Sequence, residues 1–110
     1  MVAHITILQL KPGIMDDLIR MFQDAIGLAA AEQQGFKSMT LLINDNEGQA
    51  MAISLWATAA DLLSSERSSV YGEQLAQVDN LLDAPPVRQV YEVGVQIDLS
   101  PEGRAHIRGI

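Results

Sequence analysis

The stretch SLWATAADLLSSERSSVYGEQL, Ser54 to Leu75, changes its periodicity within a few residues. Its first four residues close the run QAMAISLWA, whose apolar and β-branched content reads as a strand. Thr58 and Asp61 follow at the three-residue spacing of a helix-capping box, in which the threonine hydroxyl takes up a backbone N–H of the first turn. Past that point Tyr71, Leu75, Val78 and Leu82 recur at helical spacing and form one apolar stripe. Ser68, Ser69 and Gly72 lie across the helix and predict a kink or a split into two. A strand that hands over to a returning helix is the second half of a split β-α-β unit.

Working outward, VAHITILQL (Val2 to Leu10) is a second strand, ended by Lys11-Pro12-Gly13. Asp16 and Asp17 stand where the first turn of a helix favours negative charge. Met15, Ile19, Phe22, Ile26, Ala29 and Ala30 continue at helical spacing, and Gly35 ends that helix. FKSMTLLI and QAMAISLWA are joined through Asn44-Asp45-Asn46-Glu47-Gly48, residue types that tolerate tight turns. Pro85-Pro86 stops the second helical region, and VRQVYEVGVQI is the last strand. The order is β-α-β-β-α-β: an α+β, ferredoxin-like fold with an antiparallel sheet carrying its helices on one face. Residues 1–97 are expected to form this domain and 98–110 a C-terminal tail or arm, frayed or extended.

The first strand is apolar on both faces, with Ala3, Ile5 and Ile7 on one and Val2, His4, Thr6, Leu8 and Leu10 on the other. The face without helices is expected to carry Val2, Thr6, Leu8 and Leu10. An apolar face of that size marks a contact surface, so the expected partner is a second copy, giving a homodimeric α/β barrel.

The 110 residues suit one domain, and with 48% hydrophobic and 19% charged residues a core can form without metal or disulfide staples. The chain has no cysteine, which removes disulfides, thiolate zinc sites and cysteine nucleophiles, and fits a reducing compartment. A net charge of −7, with scattered bases, argues against nucleic acid and against an anionic membrane surface. No basic leader or long apolar run opens the chain, so the expectation is a soluble, cytoplasmic protein. A small apolar or aromatic molecule suits such a protein better than a polyanion.

Neither histidine has a partner at metal-ligand spacing, and there is no Asp-x-Asp or clustered carboxylate motif, so no metal is expected. His4 alternates with apolar residues. It reads either as a half-buried histidine held by a hydrogen bond or as a general base at a pocket mouth. His106 reads as solvated. Ser64, Ser65, Ser68 and Ser69 lack the surroundings of a nucleophile and read as the polar face and kink of a helix. Gly13, Gly27 and Gly35 match no phosphate-binding loop. Trp56 and Tyr71 read either as core or as walls of an apolar cavity between sheet and helices. In the second reading Ile5, Ile7, Phe22, Trp56 and Tyr71 bind substrate, with His4 and Tyr71 as the catalytic pair. The methionines at 1, 15, 21, 39 and 51 would make such a cavity adaptable.

Lys11-Pro12-Gly13 before the first helix, Leu55-Trp56 before a Thr/Ser cap, Ser69-Val70-Tyr71, and Pro85-Pro86 before the last strand together resemble the antibiotic biosynthesis monooxygenase superfamily of small dimeric α+β-barrel proteins. The resemblance covers about residues 2–97. The family that the chain resembles includes cofactor-free oxygenases of polycyclic phenols and quinols, enzymes that oxidatively open haem, quinone-modifying members, and many proteins of no known activity. The haem-opening pattern needs an asparagine in the first strand, a tryptophan early in the second helix and a haem-ligating histidine further along. Those places fall on Ile5, Ser65 and Leu75, so haem degradation is not expected. Two readings stay open. One is a cofactor-independent monooxygenase of a small aromatic, phenolic or quinol substrate, needing no cofactor. The other is a dimeric module that binds a small apolar molecule without turning it over.

Overall fold

The computed structural model describes residues 1–109. Four strands form one antiparallel sheet in the order β2-β3-β1-β4: β1 (Val2–Gln9), β2 (Phe36–Asn44), β3 (Gln49–Trp56) and β4 (Val87–Glu92). This order, with a helical crossover between β1 and β2 and another between β3 and β4, is the split β-α-β arrangement that the sequence predicts.

Helix α1 starts at Met15–Met21, opens into a π-helical turn at Phe22–Ile26 and resumes at Gly27–Ala31. Asp16 and Asp17 lie in its first turn, and Arg20 donates to Asp17 at 2.6 Å on the exposed side. Gly35 then turns the chain into β2 with φ +81°, and a Cβ there would collide with the Asp61 side chain. Only glycine fits both demands. The second helical region is split as its serines predict. Helix α2 covers Ala59–Glu66 and helix α3 covers Ser69–Val78. Thr58 Oγ1 accepts from the Asp61 N–H at 3.0 Å, and Ser68 Oγ accepts from the Tyr71 N–H at 3.2 Å. Two N-caps therefore start two helices, each satisfying an otherwise free amide.

The register assigns the faces. Val2 pairs with Trp56 and His4 with Ser54, so these residues share one side of the sheet. That side is buried under the helices: Val2, His4, Leu8, Ala50, Ser54 and Trp56 are all buried, and Leu18, Ile26, Ala30, Leu62 and Val78 belong to the same core. The expectation that Val2, Thr6, Leu8 and Leu10 lie on the bare face is therefore reversed. The bare face carries Ala3, Ile5 and Ile7, with Met51, Ile53 and Leu55 of β3 and Val87 and Tyr91 of β4. Alternation separates two faces without saying which one receives the helices, and here both were apolar. Trp56 decides it, because the largest ring on the sheet goes where there is a core to hold it.

A second correction concerns the C-terminus. The last strand breaks after Glu92, and strand β5 (Val95–Leu99) pairs with β6 (Ala105–Gly109) in a separate two-stranded ribbon. The expected boundary at residue 97 falls inside β5, and residues 98–109 carry the rest of this paired ribbon, an arm rather than a frayed end. The turn is closed by Gly103, at φ +81°, whose N–H reaches the Ser100 carbonyl at 2.9 Å. The expectation for the His106 side chain lies outside the described residues. Val95, Ile97, Leu99 and Ile107 leave the ribbon with an exposed apolar surface.

Candidate active site

A pocket opens between the helix-covered side of the sheet and helix α3. Its cavity volume is about 40 Å³, and the space beyond that is open to solvent. Its floor is the sheet: His4, Thr6 and Leu8 from β1, Ala52 and Ser54 from β3, Met39 from β2 and Arg88 from β4. Tyr71, Leu75 and Val78 form the helical wall, and Phe22 enters from the π-helical turn of α1. A π turn displaces its side chains from the regular helical path, and such turns recur at functional sites. The lining is mostly apolar, with a few polar groups converging on it, the usual make-up of a small-molecule site.

His4 is buried at 8% exposure, and its Nδ1 lies 3.7 Å from Glu66 Oε1 at the end of α2. Burial pushes its imidazole below the ordinary 6.5; the Glu66 carboxylate pulls it up and the Arg88 guanidinium pushes it down, and burial prevails. Tyr71 moves the other way, pushed up to about 12, first by burial and then by Glu66, with Arg88 opposing. At neutral pH the pocket therefore holds a neutral imidazole that can accept a proton and a phenol that keeps its proton and can donate it in a hydrogen bond. Groups separated in this manner take different acid–base roles.

Of the residues expected to bind substrate, Phe22 and Tyr71 line the pocket. Trp56 does not. It is sealed behind the wall at 0% exposure, with Phe36 edge-on at 5.4 Å, Tyr71 tilted at 5.9 Å, and its Nε1 donating to Ser54 Oγ at 2.9 Å. Ile5 and Ile7 lie on the bare side of the sheet, facing away. Ser65 is buried with its hydroxyl donating to the Leu62 carbonyl at 2.6 Å, and the Ser68 hydroxyl serves as a cap, so both are spent on helix structure. Among the described residues no three metal-ligating side chains converge, and no helix is long and apolar enough to cross a membrane.

The sequence reading passed over Arg88, Thr6 and Ser54. Thr6 and Ser54 shared the face of His4 by alternation, and Arg88 follows once β4 is paired with β1, since it stands directly across from Thr6. The missing signal was the register between strands more than eighty residues apart.

No protein-family model and no curated protein matches the sequence. Solved structures do match in fold. Rv0793 from Mycobacterium tuberculosis is 22% identical with a TM-score of 0.70, over 84% of this chain and 93% of its own. A variant of SnoaB, a cofactor-independent oxygenase from Streptomyces nogalater, is 15% identical with a TM-score of 0.73, over 84% and 91%. An antibiotic biosynthesis monooxygenase is 12% identical with a TM-score of 0.71, over 84% and 98%. The chain thus has the fold of the antibiotic biosynthesis monooxygenases, the α+β architecture that its motifs resemble.

Proposed function

We propose that this protein belongs to the antibiotic biosynthesis monooxygenase superfamily and is a cofactor-independent monooxygenase of a small hydroxylated aromatic or quinol. The observation that carries the reading is the neutral His4 imidazole on the floor of an apolar pocket, beside the Tyr71 phenol and the Arg88 guanidinium. His4 takes the proton of an acidic phenol or of its keto tautomer. Arg88 stabilises the anion that forms, and Tyr71 donates a hydrogen bond that orients the oxygen. The electron-rich carbon of that anion then reacts with O₂. For an anthrone-type methylene the balance closes without a cofactor: R₂CH₂ + O₂ gives R₂C=O + H₂O, the substrate supplying all four electrons. The apolar walls keep bulk water from the anion.

Oxygen uptake with a panel of anthrones, naphthols and quinols tests this. The expected result is catalysed uptake with one substrate class and no dependence on added metal, flavin or haem. If no member is consumed but one raises the melting temperature with concentration, the protein is a binding module and the enzyme reading fails.

We further propose that it works as a homodimer, packed through the bare sheet face. Ile5, Ile7, Ile53 and Leu55 are only partly covered there, and Leu42, Val87 and Tyr91 are each about half exposed, at 50%, 50% and 52%. A monomer rarely leaves a patch of that extent to water. Light scattering should report twice the 12.0 kDa chain mass. A 12.0 kDa particle at micromolar concentration would rule the dimer out.

A further inference from the structure

The charged pair Glu66-Arg67 stands at the break between α2 and α3, and the proposed chemistry uses neither residue. Glu66 is the last residue of α2, where an acid is unfavourable next to the negative end of the helix dipole. Its position is nevertheless fixed on two sides. The Arg67 and Ser68 N–H groups close the corner on the Ser64 and Ser65 carbonyls at 3.2 and 3.1 Å. Helix α3 then comes so near that a Cβ on Gly72 would stand 2.5 Å from the Glu66 carbonyl oxygen. From that tight corner the carboxylate reaches toward the sheet, to 3.7 Å from His4 Nδ1, with its side chain 30% exposed and in touch with water.

We propose that Glu66 is a positioning residue for His4: it holds the imidazole as the Nδ1–H tautomer and so leaves Nε2 as the proton-accepting nitrogen. This deepens the oxygenase reading and rests on it for the catalytic consequence, though not for the tautomer itself. The physical argument is one of pairing. His4 has two ring nitrogens, and in the neutral ring one donates while the other accepts. A carboxylate accepts only, so the nitrogen facing it carries the hydrogen. At 3.7 Å the contact is looser than a hydrogen bond, as catalytic contacts are before substrate binds, and it tightens when proton uptake makes the ring cationic.

The other charged or titratable groups about the pocket cannot replace Glu66. Arg88, from β4, repels the imidazolium, Tyr71, from α3, stays a neutral phenol, and Asp79 lines the pocket beyond the end of α3 without acting on His4. The carboxylate that stabilises the protonated ring is therefore Glu66.

The test combines ¹⁵N spectra of the imidazole with kinetics on the full chain. His106→Gln supplies a background with a single histidine, since the chain has two. In that background His4 should show the Nδ1–H tautomer. Glu66→Gln, which can donate as well as accept, should mix the tautomers and lower the His4 titration midpoint. Glu66→Asp, one methylene shorter, should restore part of both. With a turned-over substrate, Glu66→Gln should lower kcat roughly tenfold or more with little change in KM, and move the acid limb of the profile to lower pH. Unchanged tautomer and midpoint in Glu66→Gln would overturn the proposal. A wild-type protein that consumes no substrate would overturn the oxygenase reading alone, and the spectra would still decide the pair.

Discussion

Trp56→Ala should lower the free energy of unfolding by about 3–5 kcal/mol, the range for deleting a fully buried large aromatic. The side chain is completely enclosed and touches both layers, with Phe36 edge-on from the sheet and Tyr71 tilted from helix α3. Truncation leaves a cavity on which two rings lean. It also strips Ser54 Oγ of the hydrogen that Trp56 Nε1 donates at 2.9 Å, and a buried hydroxyl without its partner adds roughly 1–3 kcal/mol of its own. Trp56→Phe keeps most of the volume and should cost clearly less. Urea denaturation separates the two variants by their midpoints at a common slope. A loss under about 1 kcal/mol for Trp56→Ala would mean that the ring is not the keystone of this core and that Tyr71 is positioned by something else.

The consequence of that packing is an answer to what the strand-to-helix joint is for. Trp56 belongs to the core, and its work for the pocket is indirect: it backs Tyr71, which does line it. Much of this was legible. Alternation, the Thr58 cap, the serine break and the Pro85-Pro86 stop gave every element of the four-stranded sheet and its order, because each reports a local constraint that no tertiary context overrode. What alternation cannot report is which face is covered. Ile5 and Ile7 looked as fit for a cavity as Thr6 and Leu8, and only the pairing of Val2 with Trp56 separates them. The pocket's polar groups were half legible. His4 and Tyr71 stood out as rare residues in apolar company. Arg88 and Glu66 did not, because a lone base on a strand and an acid at a helix end are ordinary surface features until the fold brings them to His4. The ribbon of β5 and β6 was also in the sequence, as Val95, Ile97, Leu99 and then Ala105 and Ile107 on either side of Pro101-Glu102-Gly103. Its short strands lie beyond the domain's own periodic pattern.

His4→Gln should reduce kcat on a turned-over substrate by roughly 10²–10⁴-fold, the range for removing a general base. Glutamine keeps a polar side chain of similar reach but cannot accept a proton near neutrality, so residual turnover should lose the acid limb that a titrating imidazole imposes. The same variant carries a signature in stability that needs no substrate. Folding holds His4 below the ordinary 6.5, so in the unfolded chain the imidazole binds its proton first as the pH falls. Between 6.5 and the lower folded value the unfolded state binds more protons, and stability must decline with falling pH. Above 6.5 both states are neutral and this contribution is flat. Chemical denaturation across that window should therefore show a fall for the wild-type protein that His4→Gln removes. Activity lost while the stability slope persists would mean that some other group titrates in the core. Slope removed with activity intact would mean that His4 is buried as described and that the base lies elsewhere in the pocket, where Asp79 is the remaining carboxylate on its lining.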